Sequence, residues 1–251
     1  NSAPSGWSKN FFKNKFYKTI IKLADDVMVN SLDFKKSFKK KFNIDATCIY
    51  NPFDKNFIKN RLSNNNIKIN FFKKNYLKII SIGRLTDQKD HLTTLKAIEA
   101  LEPDFKIKMI IMGKGTNKFL LEKYIKKKNL GNRVKLIGYK KNPYPYLQSS
   151  NIVLLTSKYE GLPNILLEAQ YLKKYIISTD CPTGPNEILL DGRAGDLVKI
   201  GDYKKVAHLI KNYSKNKKKI KKMITIGTNN FKRFDFKINC KKYLDFVNSN
   251  L

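Results

Sequence analysis

The stretch IVLLTSKYEGLPNILLE, Ile152–Glu168, decides the reading of this chain. An apolar run rich in β-formers, Ile152–Leu155, meets a polar break at Thr156–Gly161. Such a run bounded by turn residues reads as a buried strand. Pro163 then opens a helix with Leu166, Leu167, Ala169 and Leu172 on its apolar face. Proline suits the first helical position, where its missing N–H had no partner to lose. The backbone N–H groups and the dipole at a helix start attract phosphate. Glu160 precedes the turn and Glu168 lies inside the helix. Side chains lean toward the helix N-terminus, so Glu168 can reach back to whatever sits there. A carboxylate acceptor beside a phosphate points to hydroxyls, and so to a sugar.

Outward from this segment, strands and helices alternate. Strands are expected at Leu77–Ile82, Lys106–Met112, Val134–Leu136, Tyr175–Thr179 and Leu197–Val198. Helices are expected at Leu92–Leu101, Lys118–Lys128, Pro145–Gln148, near Glu187–Leu190 and at Tyr203–Tyr213. This order implies an α/β fold, a parallel sheet covered by helices on both faces. Ligands of such sheets sit beyond the C-terminal ends of the strands, at a topological switch. Upstream, Lys9–Leu23 and Ser31–Phe42 have helical spacing, with Ser31 as an N-cap, and Asp26–Val29 and Thr47–Tyr50 read as short strands. Asp54–Lys74 is polar and Asn-rich and reads as a linker or loop, and Asn230–Phe246 as a final helix. Gly113-Lys114-Gly115 lacks the third glycine and the acidic partner of a dinucleotide fingerprint, and reads as a turn.

With 251 residues and 41% hydrophobic content, the chain can form one large or two small domains. No apolar run approaches the roughly 20 residues of a membrane span. The first residues, NSAPSGWSKN, contain neither Met nor an apolar signal core, and read as a processed product or a fragment. Fifty-one Lys and Arg against 20 Asp and Glu give a net charge of +31, which favours anionic partners such as nucleotides or a membrane surface. The charge is spread along the chain without an aromatic–basic repeat, which argues against a specific nucleic-acid site. Lys215–Lys222 reads as a solvated helix face. Lys35–Lys41 interleaves with Phe34, Phe38 and Phe42 as an amphipathic basic helix, either core-packed or membrane-facing. Cys48, Cys181 and Cys240 are far apart and read as reduced thiols of a cytosolic protein. His91 and His208 are isolated and read as structural, so no metal site is expected.

Three loops collect candidate site residues. Gly83-Arg84 and Lys89 put two cations just past a strand, where Arg can hold two phosphate oxygens and Lys adds a point charge. Glu160–Asn164 is the second loop. The third, Thr179–Glu187 (TDCPTGPNE), would pass for an ordinary turn by itself.

Together GRLTDQKD (Gly83–Asp90), YEGLPNILLEA (Tyr159–Ala169) and STDCPTGPNEIL (Ser178–Leu189) closely resemble the retaining glycosyltransferases called group 1, of the family 4 type. These have the GT-B fold, two Rossmann-like domains with the site between them. The resemblance runs from about Phe16 to the C-terminus and is strongest over Lys78–Asp202. It implies that Arg84 and Lys89 bind the diphosphate, that Glu168 binds the ribose, and that Glu160 lies near the donor sugar. Gly83, Gly161, Leu162, Pro163 and Asn164 complete the donor site, and Gly138–Lys141 lies beside the base. Glu160, Arg84 and Lys89 would be catalytic, with no metal and no cofactor. The implied reaction transfers a hexose or N-acetylhexosamine from a UDP-sugar to a lipid-linked or surface-glycan acceptor, with retention. The implied location is cytoplasmic, with peripheral attachment to the inner face of the membrane.

The resemblance divides the chain into the end of an acceptor domain (1–54), a linker (55–75), a nucleotide-sugar-binding domain (76–228) and a crossover helix (229–251). The acceptor domain's Gly-rich loop and its catalytic-region His would lie upstream of residue 1. Two other readings stand beside the enzyme. One is a donor-binding subunit or inactive fragment that needs a separate acceptor-domain chain. The other is a basic membrane-surface or nucleic-acid-binding protein.

Overall fold

The computed structural model describes residues 16–17, 19–21, 23–63 and 69–249. Most of the helix expected at Lys9–Leu23 and part of the Asn-rich stretch Ser63–Asn66 lie outside them. Six parallel strands form the main sheet: β3 (Leu77–Ile82), β4 (Ile107–Met112), β5 (Val134–Leu136), β6 (Ile152–Leu155), β7 (Tyr175–Thr179) and β8 (Asp196–Val198). Their order is β5-β4-β3-β6-β7-β8, so the chain winds outward in one direction from β3 and in the other from β6. The α/β architecture expected from the alternation of elements is present.

Every residue of β6 and β7 is buried, as a parallel strand packed on both faces requires. Alternate residues feed two cores. On one face Ile79, Met109, Ile111, Leu154 and Ile177 pack under α3 (His91–Glu99), α4 (Lys118–Lys127), α8 (Tyr203–Lys211) and α9 (Lys217–Asn229). On the other, Ile80, Ile110, Met112, Val153 and Ile176 meet Leu147 of α5 (Tyr144–Ser149), Leu166 and Leu167 of α6 (Asn164–Tyr171), and Ile188 of α7 (Pro185–Leu189).

Residues 28–48 build a small unit of their own. β1 (Met28–Val29) pairs in parallel with β2 (Thr47–Cys48), and α1 (Leu32–Phe42) covers them. Ser31 caps α1 by accepting the Phe34 N–H at 3.1 Å. Phe34, Phe38 and Phe42 form one buried cluster with Val29 and Ala46, so the basic helix is core-packed and its lysines face outward.

Three local expectations need correction. The polar stretch read as a loop contains α2 (Lys55–Ser63), started by the Asp54 carboxylate, which accepts the Asn56 and Phe57 N–H groups. Ile58 of α2 and Phe72 beyond it join the second core. Pro163 is the cap of α6 and not its first helical residue; its ψ of 104° is extended. The expected final helix is two pieces, a 3-10 turn at Asn230–Phe234 and α10 (Phe236–Asn248). The break arises because Phe231 and Phe234 are both buried and the Phe53 N–H bonds the Phe234 carbonyl at 2.9 Å. Asp235 then restarts the helix by accepting the Ile238 N–H.

Ile58 separates a packed helix from a loop. Ile58→Ala should cost about 2–5 kcal/mol in urea unfolding, the usual loss for emptying a buried aliphatic site. A change near zero would return residues 55–63 to the surface.

Candidate functional site

The strand order reverses between β3 and β6, which pair through Ile79–Ile152 and Ile80–Val153. The crevice beyond their C-terminal ends is where such sheets bind ligands. The loop after β3 carries Gly83, Arg84 and Lys89, and the loop after β6 carries Glu160 to Asn164. They meet across the crevice: Lys89 Nζ lies 2.6 Å from Glu160 Oε1, with the two side chains only 15% and 7% exposed.

Backbone and side-chain bonds fix this pair. Thr156, at the end of β6, donates its hydroxyl toward the Lys89 and Asp90 carbonyls at 3.2 and 2.9 Å. Asp90 takes a left-handed conformation (φ 44°) and caps α3 through the Thr93 N–H. Gln88 donates to the Tyr159 carbonyl at 2.9 Å and its own carbonyl accepts the Lys158 N–H. Arg84 donates to Gln88 Oε1 at 3.1 Å, which leaves most of its guanidinium donors directed elsewhere.

The neighbouring loops press close. A Cβ on Gly113 would stand 1.8 Å from the Gly83 carbonyl oxygen, and one on Gly184 would stand 1.9 Å from that of Gly161. Gly113-Lys114-Gly115 is therefore a turn that lets two loops touch. Gly83 N–H bonds the Met112 carbonyl, and Gly113 N–H the Gly138 carbonyl, so the ends of β3, β4 and β5 stack. Against them lies a cavity of about 350 Å³, lined by Gly83, Arg84, Lys114, Tyr139, Lys140 and Pro143 among others.

Glu168 stands apart from the ion pair, one and a half turns into α6. Tyr144 donates to its Oε1 at 3.4 Å. Burial pushes the Glu168 carboxyl up to about 7, against a small lowering by Tyr144. Burial and the Glu168 charge in turn raise Tyr144 to about 12. His91 is buried with its Nδ1 3.1 Å from Ser81 Oγ, and burial lowers it to about 4, so it stays neutral in the wall of β3.

The structure thus joins Lys89 to Glu160 and places Gly83, Arg84 and Gly161–Asn164 around the same crevice. Leu162 and Pro163 are buried beneath the loop. Sequence reasoning gave no role to Gln88, Thr156, Thr183 or Asn51. Gln88 and Thr156 lay within motifs already quoted, but Asn51 bonds Asn164 Oδ1 at 2.8 Å from 113 residues away, which no local pattern reveals.

Residues 63–230 match the family described as Glycosyl transferases group 1. The chain belongs to that family. An uncharacterized glycosyltransferase of Methanocaldococcus jannaschii is 36% identical over 180 residues, covering 69% of this chain and 44% of the relative. The N-acetylgalactosamine-N,N'-diacetylbacillosaminyl-diphospho-undecaprenol 4-alpha-N-acetylgalactosaminyltransferase of Campylobacter jejuni is 30% identical over 202 residues, covering 77% of this chain and 53% of the relative. This group 1 chain therefore spans about half the length of these curated relatives. Anabaena HepE in complex with UDP-glucose superposes with a TM-score of 0.85 at 20% identity, over 98% of this chain and 70% of that one, and shows the GT-B type of fold.

The raised Glu168 predicts a pH effect. Folding holds a proton that the unfolded chain releases above about 4.5, so this group lowers stability as pH rises from about 4.5 through 7. Urea unfolding at pH 5 and pH 8 should show wild type losing of order 1–3 kcal/mol more than Glu168→Gln across that interval. Equal pH slopes would remove the buried-acid reading.

Proposed function

We propose that this chain carries the donor half of a glycosyltransferase that moves a hexose or N-acetylhexosamine from a UDP-sugar to a lipid-linked or surface-glycan acceptor, with retention. The observation that carries the reading is the buried Lys89–Glu160 pair at the strand-order switch, with Arg84 beside it and the cavity behind. The base enters the cavity between Arg84 and Tyr139. The ribose hydroxyls bond Glu168, which lies one side chain away from Pro143 through Tyr144. The diphosphate faces Arg84, Lys89 and the backbone amides at the start of α6.

In the reaction, the bond between the anomeric carbon and the β-phosphate oxygen breaks and its electron pair leaves with UDP. Arg84 and Lys89 are held in place before that charge develops, so stabilising it costs little reorganisation. The proposed role for neutralising the leaving group thus falls to these two cations and not to a metal ion. Glu160 keeps Lys89 aimed into the crevice and meets the donor sugar. The acceptor hydroxyl forms the new bond on the same face of the sugar, and its proton passes to the departing β-phosphate oxygen. Acceptor-binding groups are proposed to come from outside the described residues.

The same reading places the protein at the cytoplasmic side of a membrane, drawn to anionic lipid by its surplus of lysine. Among the described residues no helix is long and apolar enough to cross one.

A thermal-shift series with UDP-, GDP- and ADP-sugars tests the donor. Ligand at 100 times its Kd should stabilise the chain by about 2.7 kcal/mol, visible for UDP-sugars first. No shift with any nucleotide sugar rejects the reading. In calorimetry, Arg84→Ala should weaken UDP by about tenfold to a hundredfold, the worth of charge-assisted bonds to phosphate, and leave uridine unchanged. Equal losses for UDP and uridine would overturn the diphosphate assignment.

A further inference from the structure

One carboxylate outside the proposed chemistry gathers three bonds from two distant parts of the chain. Glu187 lies in α7, just past the loop Thr179–Gly184. Its Oε1 accepts the Leu32 N–H at 3.0 Å and the Tyr50 hydroxyl at 2.5 Å, and its Oε2 accepts the Asp33 N–H at 3.0 Å. Leu32 and Asp33 open α1, and first-turn N–H groups have no partner within their own helix. A carboxylate there also meets the positive end of the helix dipole. Its charge reaches further: Asp33 is raised, by burial first and then by Glu187.

The backbone at Glu187 is held from another direction. Arg233 donates to the Glu187 carbonyl at 2.7 Å and to that of Ile188 at 3.1 Å. The same guanidinium lies 4.6 Å from the Phe234 ring centroid and 6.0 Å from that of Tyr50. Backward from Glu187, the contacts run into the donor loop. Thr183 donates its hydroxyl to the Glu160 carbonyl at 2.6 Å, and Gly184 fits against the Gly161 carbonyl in a conformation (φ +86°) that admits no side chain. Asn51, one residue after Tyr50, bonds Asn164 directly at 2.8 Å.

We propose that Glu187 is a positioning residue for donor binding: by clamping the start of α1 and Tyr50, it sets, through Thr183 and Gly184, the place of the Glu160–Asn164 loop. Residues 28–51 then act as a brace for the donor site, and a shift of α1 is transmitted to the backbone that faces the diphosphate. This deepens the proposed function and takes its ligand, UDP, from it.

Glu187→Gln keeps the volume but removes the charge and turns one acceptor into a donor facing an N–H. Tyr50→Phe removes a single bond from the same carboxylate. In the full chain, UDP titration by calorimetry should show Kd rising about tenfold for Glu187→Gln and about threefold for Tyr50→Phe, with one site still filled per folded chain. A purely structural role would lower the melting temperature and leave the Kd of the folded fraction unchanged. Combining Glu187→Gln with Thr183→Val should give a loss smaller than the sum of the two, because both act along one path; additive losses would mark independent effects and overturn the proposal. Hydrogen exchange without ligand supplies an arm that does not depend on UDP. The amides of residues 160–162 and 164 should exchange faster in Glu187→Gln while those of β3 and β4 stay unchanged. Unchanged exchange at 160–162 and 164, or an unchanged Kd in both variants, overturns the brace. If wild type binds no UDP, the donor reading fails, and the exchange result alone decides the brace.

Discussion

β3 and β6 lie side by side in parallel, and neither can turn its connecting helix onto the other's side. That constraint arranges most of what this chain does. A strand buried on both faces has little room for charged side chains in its middle. Charged groups are therefore expelled to the strand ends, and at the reversal of winding two such ends open onto the same crevice. Lys89 and Glu160 meet there because their loops leave neighbouring strands, and Thr156 pins one loop to the other.

Taking both charges of that pair out of water is costly, and mutual attraction offsets the cost only when the partners stay together. The surrounding bonds keep them together: Gln88 reaches across to Tyr159, and Thr183 to Glu160. A pair held so firmly presents Lys89 in one orientation. Under the proposed function, a phosphate would then meet a cation that has already lost its side-chain freedom, a loss worth up to about 2 kcal/mol for lysine. Glu168 follows a different logic. Tyr144 donates to it, and burial keeps its proton near neutrality.

Strands were the most legible part of the chain. Leu77–Ile82, Val134–Leu136, Ile152–Leu155 and Tyr175–Thr179 were readable to the residue, because each apolar run ends abruptly in polar or turn residues. The helix at Lys55–Ser63 was hidden by its own composition: Ile58 is its single buried residue, too little to register as a period. The phenylalanine stripe of α1 was plain in the sequence, but its partner surface, β1 and β2, could not be foreseen from spacing. In the site, Arg84, Lys89, Glu160 and Glu168 stood out through motifs local in sequence. Glu187 and Asn51 did not, since their partners lie 137–155 and 111–113 residues away and arise only from packing.

The cluster of Val29, Phe34, Phe38, Phe42 and Ala46 shares no buried residue with the two cores of the main sheet. The Glu187 carboxylate reaches it through hydrogen bonds from neutral donors, the Leu32 and Asp33 N–H groups and the Tyr50 hydroxyl. Residues 28–48 and the sheet are thus separately packed bodies, and directional bonds rather than a shared buried core set how one sits on the other.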